Sequence, residues 1–192
     1  MNMGGYIVEK KELRKKILVL RDDLKSDEKE MMDDIIFSKL IKEKSFIDAK
    51  VVFLFVSYKS EVDTHRIIRY CFENDKVVCI PKVINKKDGM KALRITSFED
   101  LKEGYKGILE CDDDLEEIST CNIDLVIMPG AVFDVNYGRI GYGGGFYDKF
   151  LGNLEKDIFK IALCYDFQIV DEVPTENHDI KPNKIISDKR RI

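Results

Sequence analysis

Apolar residues recur near the start of the chain at helical intervals, with Leu13, Ile17, Leu20 and Leu24 at i, i+4, i+7 and i+11. Such a stripe predicts a helix over residues 10–24 that lays one face on a core. Residues 1–8 are expected to be loose. A second helix is expected from Ser26, a good N-cap followed by acidic Asp27 and Glu28, to about Lys44, with Met32, Ile35, Ile36 and Leu40 inward. The pattern then changes character. Residues 49–56, AKVVFLFV, are β-branched and aromatic without alternation, as a strand covered on both faces should be. A polar loop leads to a helix over residues 64–74, capped by Asp63, with His65 in its first turn. Further short strands are expected at 76–81, 90–95, 125–127 and 159–165, with Ile185 and Ile186 on an edge strand. Between residues 96 and 121 the order of elements is not legible, and Phe98 and Tyr105 there suit core filling better than the rim of a cleft. Strands alternating with helical patterns predict an α/β fold with a largely parallel sheet.

Composition narrows the class. A chain of 192 residues suits one domain, 1–192, and 44% hydrophobic with 35% charged residues describes a soluble protein without membrane spans. The first residues lack an apolar signal core, so a cytoplasmic location is expected. Against 36 acidic residues, 32 basic ones leave a net charge of −4, which disfavours nucleic acid as a partner. Five scattered cysteines form no C-x-x-C pair and share no zinc spacing with His65 or His178, so free, largely buried thiols are expected. A cysteine nucleophile would require the fold to bring Cys79 or Cys164 beside a histidine. Asp112-Asp113-Asp114 lacks the glycine and closing glutamate of a calcium loop and reads as a solvated acidic turn.

The chemistry concentrates in residues 128–148, MPGAVFDVNYGRIGYGGGFYD. A buried strand runs into Gly138, Gly141, Gly143, Gly144 and Gly145 and then into a helix start, an arrangement that offers unpaired backbone N–H groups to an anion. Arg139 adds a cation able to fork onto two phosphate oxygens. Phe146 stands where a G-x-G-x-x-G fingerprint needs its last glycine, and no Gly-Lys-Ser/Thr follows, so neither a dinucleotide site nor a Walker A loop is supported. Lys10 and Arg14, four apart, share one flank of the first helix and could close on a polyanion or form a solvated basic face. If a nucleotide triphosphate lies over the loop, a magnesium ion is needed, with Asp148 the best-placed carboxylate and Asp179 a second candidate. Asp148 could instead only complement the helix dipole, and Asp179 could make a local turn.

The run Pro129-Gly130, Phe133-Asp134 and Gly138 to Asp148 resembles the signature of the 5-formyltetrahydrofolate cyclo-ligase family. Lys10-Lys11-Glu12-Leu13-Arg14 is similar to its N-terminal K-x-x-L-R element, and Val173-Pro174 to Asp179 to its late V-P-x-x-x-x-D segment. Gly107-Ile108-Leu109-Glu110-Cys111 keeps most of a Gly-Ile-x-Glu-Pro element but has Cys111 in place of proline, which puts the turn geometry in question. The resemblance implies a three-layer α/β/α sandwich and an ATP- and Mg2+-dependent conversion of 5-formyltetrahydrofolate, with or without further glutamates, to 5,10-methenyltetrahydrofolate. It implies ATP contacts from Lys10, Arg14, Arg139, Ile140, Gly141, Tyr142, Gly143, Gly144, Gly145, Phe146 and Tyr147. Folate contacts would come from Arg14, Val56, Glu61, Tyr142 and Tyr147, with Arg139 and Tyr142 closest to the chemistry. Without it Glu61 reads as an ordinary loop carboxylate, and either tyrosine as structural. A monomer is expected, and Arg139→Ala or Asp148→Ala should depress turnover while leaving the fold intact. The alternatives are a non-catalytic folate or nucleotide sensor, and an ATP-independent enzyme of the sugar-phosphate isomerase or CoA-transferase kind.

Overall fold

The computed structural model describes residues 3–104, 107–154 and 156–192, with side chains from Glu9 onward. In chain order the helices are α1 (Met3–Asp22), α2 (Ser26–Leu40), α3 (Lys44–Asp48), α4 (Thr64–Glu73) and α5 (Phe146–Gly152). The strands are β1 (Val51–Leu54), β2 (Val77–Asn85), β3 (Gly89–Ile95), β4 (Leu101–Glu103), β5 (Leu109–Cys111) and β6 (Leu125–Met128). They continue with β7 (Val132–Asp134), β8 (Arg139–Ile140), β9 (Phe159–Leu163), β10 (Ile169–Val170) and β11 (Lys184–Ile186).

Six strands form the central sheet in the order β11-β9-β6-β1-β2-β3, parallel throughout except for the antiparallel β2–β3 hairpin. Strand β1 explains why its sequence does not alternate in polarity. Val52 and Leu54 pack on one face with Ile36 and Leu40 of α2 and Ile67 and Ile68 of α4, while Phe53 packs on the other with Val126 and with Phe150 of α5. Both faces are dry, so every position is apolar. With α4 and α5 on opposite faces, the architecture is the expected three-layer α/β/α sandwich, and the crossover reverses between β1 and β6. Ligands of open α/β sheets gather at the carboxyl ends of strands beside such a reversal. Among the described residues no helix is long and apolar enough to cross a membrane.

A second, three-stranded sheet, β10-β7-β8, sits at that carboxyl edge and carries α1. Ile17 of α1 is buried against Ala131, Val132, Ile140 and Val173. Its connection from β7 to β8 is tied by Asp134, whose Oδ1 accepts from the backbone N–H groups of Asn136 (2.8 Å) and Gly138 (2.7 Å) and whose Oδ2 accepts from Val173 N (2.8 Å). A methyl group at Gly138 would lie 2.4 Å from Asp134 Oδ2, so this close approach requires glycine. Both edges of the main sheet carry backbone partners. Ile185 and Ile192 exchange N–H···O bonds at 2.8 and 2.9 Å beside β11, and residues 116–118 bond β3 through Arg94 N to Glu116 O and Ile118 N to Ala92 O.

Several local expectations change. Helix α1 begins at Met3, so of residues 1–8, expected to be loose, 3–8 have helical backbone and 1 and 2 lie outside the described residues. Leu20 is 47% exposed, and the α1 side chains packed on the small sheet are Leu13, Ile17 and Leu18, while the neighbouring Arg21 is buried. Ile35 is also exposed, and Lys25 rather than Ser26 is the N-cap of α2, without a side-chain bond. That helix stops at Leu40, residues 41–43 of the expected last turn are not helical, and a separate short helix α3, which was not expected, follows and buries Phe46. Asp63 does cap α4, its carboxylate accepting from His65 N at 2.9 Å. Strand β2 runs four residues beyond Pro81, which fits because β1 pairs only with Val77, Val78 and Cys79 and has ended before the missing N–H would be needed. Cys111 pairs with Leu101 in a regular two-stranded ladder, so the departure from proline costs no turn. Phe98 packs against His65 and Phe72 rather than on a cleft rim, and Tyr105 lies outside the described residues.

Candidate functional site

Where β1 and β6 end, the chain opens into a cavity of about 660 Å³. Phe55 and Val56 continue β1 into its wall, Pro129 follows β6, and Pro81, Lys82, Val83 and Met90 come from the part of the β2–β3 hairpin that outruns β1. Residues 139–149 line the cavity as well, together with Lys10 and Arg14 of α1 and His178 and Asp179 of the late loop. Ile108, Leu109 and Glu110 complete the lining. Every residue singled out for the site is therefore brought to one cavity, with the exception of Glu61. Its Oε2 accepts from Tyr58 N at 2.8 Å, and its carboxylate acts on the Tyr142 hydroxyl.

The glycine loop lies between two guanidinium groups. Arg14 Nε donates to Gly141 O at 2.7 Å, and a methyl group at Gly143 would lie 3.4 Å from Arg14 Nη1. On the other side, a methyl group at Gly141 would lie 3.0 Å from Arg139 Nη1. Gly143 also has φ +95°, a region that L side chains rarely adopt. Helix α5, which follows the loop, has only seven residues, so its dipole is short and the loop N–H groups and flanking cations make up the anion-attracting features.

Arg139 is not a loose cation waiting for phosphate. Its side chain is 3% exposed, and Nη2 donates to Asp148 Oδ1 at 2.5 Å, Nη1 to Pro129 O at 3.2 Å and Nε to Ile180 O at 3.3 Å. Asp148 Oδ1 also accepts from Ile180 N at 2.9 Å, and no described residue bonds to Oδ2. Asp179 is similarly engaged. Its Oδ2 accepts from Lys10 Nζ and from Glu176 N, both at 2.7 Å, the local turn that was the alternative reading. Burial opposes ionisation of Asp179, but Lys10, the Glu176 amide and His178 outweigh it and hold its carboxyl below the usual range. Among the described residues no group of three acidic, histidine or cysteine side chains could hold a metal. One carboxylate with an uncommitted oxygen suits an ion that arrives already bound to phosphates, as magnesium does, and not a resident metal.

Two tyrosines stand beside the loop. The Tyr147 hydroxyl is buried without a hydrogen-bond partner among the described residues. Burial pushes its pKa up, and the Glu61 carboxylate adds to that. Tyr142 lines the cavity and is 43% exposed as a residue, while its hydroxyl accepts from Arg21 Nη1 at 2.6 Å. Arg21 was not singled out by sequence. The signal available was its place seven residues after Arg14, two helical turns along the same face.

The thiols offer no nucleophile. Cys71, Cys79, Cys111 and Cys164 are buried and Cys121 exposed. Burial pushes Cys71 and Cys79 up to about 12 and raises Cys111 and Cys164 as well. A thiol-disulfide reagent at neutral pH is expected to modify Cys121 alone until the protein is denatured. Modification of Cys79 or Cys164 in the native state would show that the sheet opens readily.

Fold and cavity define a three-layer α/β protein with a glycine loop, clasped by two arginines, at the carboxyl edge of its parallel sheet. The chain belongs to the 5-formyltetrahydrofolate cyclo-ligase family, a family of ligases, whose sequence model matches residues 6–188. It is 28% identical over 173 residues to the 5-formyltetrahydrofolate cyclo-ligase of Mus musculus, an alignment covering 85% of each chain. The solved structure of Aquifex aeolicus 5,10-methenyltetrahydrofolate synthetase superposes with a TM-score of 0.83 at 28% identity, over 95% of this chain and 91% of that one. A 5,10-methenyltetrahydrofolate synthetase from Mycoplasma pneumoniae gives a TM-score of 0.74 at 27% identity, over 93% and 98%.

Proposed function

We propose that this chain converts 5-formyltetrahydrofolate to 5,10-methenyltetrahydrofolate with conversion of ATP to ADP and phosphate. The observation that carries the reading is the glycine loop clasped by Arg14 and Arg139 beside an open cavity, in a chain of the cyclo-ligase family. The formyl group on N5 is amide-like, and its oxygen is a poor leaving group. Transfer of the γ-phosphoryl group forms an O–P bond at that oxygen and breaks the bridge to ADP. N10 then attacks the formyl carbon and gives up its proton as the C–O bond breaks and phosphate departs, closing the five-membered ring. Such a route needs positioning and charge stabilisation and no covalent nucleophile, in keeping with four thiols locked in the core.

In this reading the N–H groups of residues 141–145 and the cations Lys10, Arg14 and Arg139 receive the triphosphate, flanked by Ile140, Phe146 and Tyr147. Asp148 would hold magnesium through Oδ2, with Asp179 as a second ligand only after it parts from Lys10. The chemistry a bound magnesium ion would supply is positive charge to offset that of the transferring phosphoryl group. Arg139 holds the Asp148 carboxylate in place through Oδ1. Val56 gives the pterin an apolar wall, Tyr142 and Tyr147 flank it, and the unpartnered Tyr147 hydroxyl is ready for a polar atom of the ligand. Glu61 takes part through Tyr142 or by turning from the Tyr58 amide.

The test is the absorbance of methenyltetrahydrofolate in the presence of the protein, with ATP, magnesium and 5-formyltetrahydrofolate omitted in turn. A rise only in the complete mixture is expected. Binding of folate without turnover would overturn the reading in favour of a sensor, and turnover of a sugar phosphate without ATP in favour of an isomerase. Lys10→Ala is expected to raise the ATP KM about tenfold while kcat changes less than about threefold, because one of several cations contributes binding more than chemistry. Steady-state kinetics with varied ATP check it, and an unchanged KM would return Lys10 to an ion-pairing role.

A further inference from the structure

We propose that Arg21 is a positioning residue for the folate side of the cavity, fixing the Tyr142 ring in its wall by gripping the phenol oxygen. The inference rests on the cyclo-ligase reading and assigns a part to a residue outside the lining. Arg21 occupies the last turn of α1 and is only 6% exposed. A buried guanidinium is costly unless its charge is met, and among the described residues Arg21 makes no ion pair. It is held instead by two neutral oxygens, Nε donating to Ser60 Oγ at 3.1 Å and Nη1 to Tyr142 Oη at 2.6 Å. Ser60 in turn donates to Asp22, which relays part of the compensating charge. Packing alone would be served better by an apolar side chain, so the grip on Tyr142 is what the arginine adds.

Tyr142 is thereby split between two surroundings. The residue lines the cavity and is substantially exposed, whereas its oxygen is tethered. Accepting from Arg21 leaves the phenol proton to donate, and the Glu61 carboxylate is close enough to receive it. Burial and Glu61 both favour the protonated phenol, so the hydroxyl remains a donor at neutral pH. Two arginines of one helix thus hold consecutive loop residues: Arg14 takes the carbonyl of Gly141, and Arg21 the side-chain tip of Tyr142. Arg14 lies against the glycine loop itself, while Arg21 reaches only the aromatic wall. Loss of Arg21 should therefore affect the two substrates unequally.

The experiment is a kinetic double-mutant cycle on the full chain with Arg21→Met, Tyr142→Phe and their combination, varying each substrate and recording the unfolding midpoint of every variant. Arg21→Met is expected to raise the KM for 5-formyltetrahydrofolate about tenfold, with the ATP KM within about twofold. The double variant should be no worse than the more impaired single, because each change already removes the shared Arg21–Tyr142 hydrogen bond. Arg21→Lys, which keeps the charge but cannot fork between Ser60 and Tyr142, should fall between wild type and Arg21→Met. If Arg21→Met does not fold, Arg21→Gln takes its place in the cycle. Equal losses for both substrates in step with a lowered midpoint, additive effects of the two substitutions, or an unchanged folate KM would each overturn the inference while leaving the functional reading in place. A wild-type protein without turnover would overturn the functional reading and this inference with it.

Discussion

Alanine at position 139 is expected to reduce ATP-dependent turnover by orders of magnitude and, unlike a surface arginine, to weaken the fold at the same time. Three acceptors each lose a donor together: Pro129 O, Ile180 O and Asp148 Oδ1, which keeps only the Ile180 amide. The pair with Asp148 is nearly excluded from water on the arginine side. Removing one partner of a buried pair strands the other, at a cost of about 3–5 kcal/mol. For a chain of this size that lowers the melting temperature by about 10 °C. Such an outcome corrects the simpler expectation that the substitution would leave the fold intact, which treated Arg139 as a cation held in reserve for phosphate. The double variant Arg139→Ala/Asp148→Ala removes the stranded carboxylate as well. It should regain a large part of the lost stability and none of the turnover. Thermal unfolding beside the absorbance assay checks both statements, and a single variant that melts like wild type would show the pair to be screened by solvent.

Asp134→Ala should be destabilising to a similar degree without touching the cavity. The side chain is buried and accepts three backbone N–H groups, from Asn136, Gly138 and Val173. Alanine leaves all three without a partner, and each orphaned donor costs about 1–3 kcal/mol. Asparagine is a poor substitute, since its amide would turn N–H groups toward at least one of the same donors. The loss falls on the hairpin that presents Arg139 and on the strap that starts at Val173. Urea unfolding is expected to show a midpoint shift equivalent to at least about 3 kcal/mol for Asp134→Ala. A midpoint within experimental error of wild type would mean that water reaches these amides in the folded state.

How much of this was legible in the sequence depended on the length of each signal. The strands of the six-stranded sheet, helices α1 and α4 and the Asp63 cap could be anticipated because apolar runs, helical periodicity and a capping aspartate leave local marks, whereas the separate α3 was not. The small sheet left almost none. Its strands have two or three residues each, too few for any periodicity, and its stability comes from Asp134 and from Ile17 packing across a large sequence separation. The loop side of the cavity was anticipated because the glycine run and Arg139 and Asp148 lie close together in the chain, whereas the wall built by the β2–β3 hairpin and residues 108–110 was not. What could not be read was which charges answer each other. Asp148 meets Arg139 and Asp179 meets Lys10 only after folding, and Arg21 was hidden because a basic residue near a helix end is ordinarily solvated.

The returning segments along β11 and β3 have a consequence beyond the cleft. Unsatisfied strand edges are templates onto which another chain can add and extend into fibrils. Here the turn back from Ser187 to Ile192 occupies one border, and residues 116–118 occupy the other. A neighbouring molecule would have to strip away bonds already made before it could add a strand, so the very apolar parallel interior is shielded from polymerisation at both of its open sides.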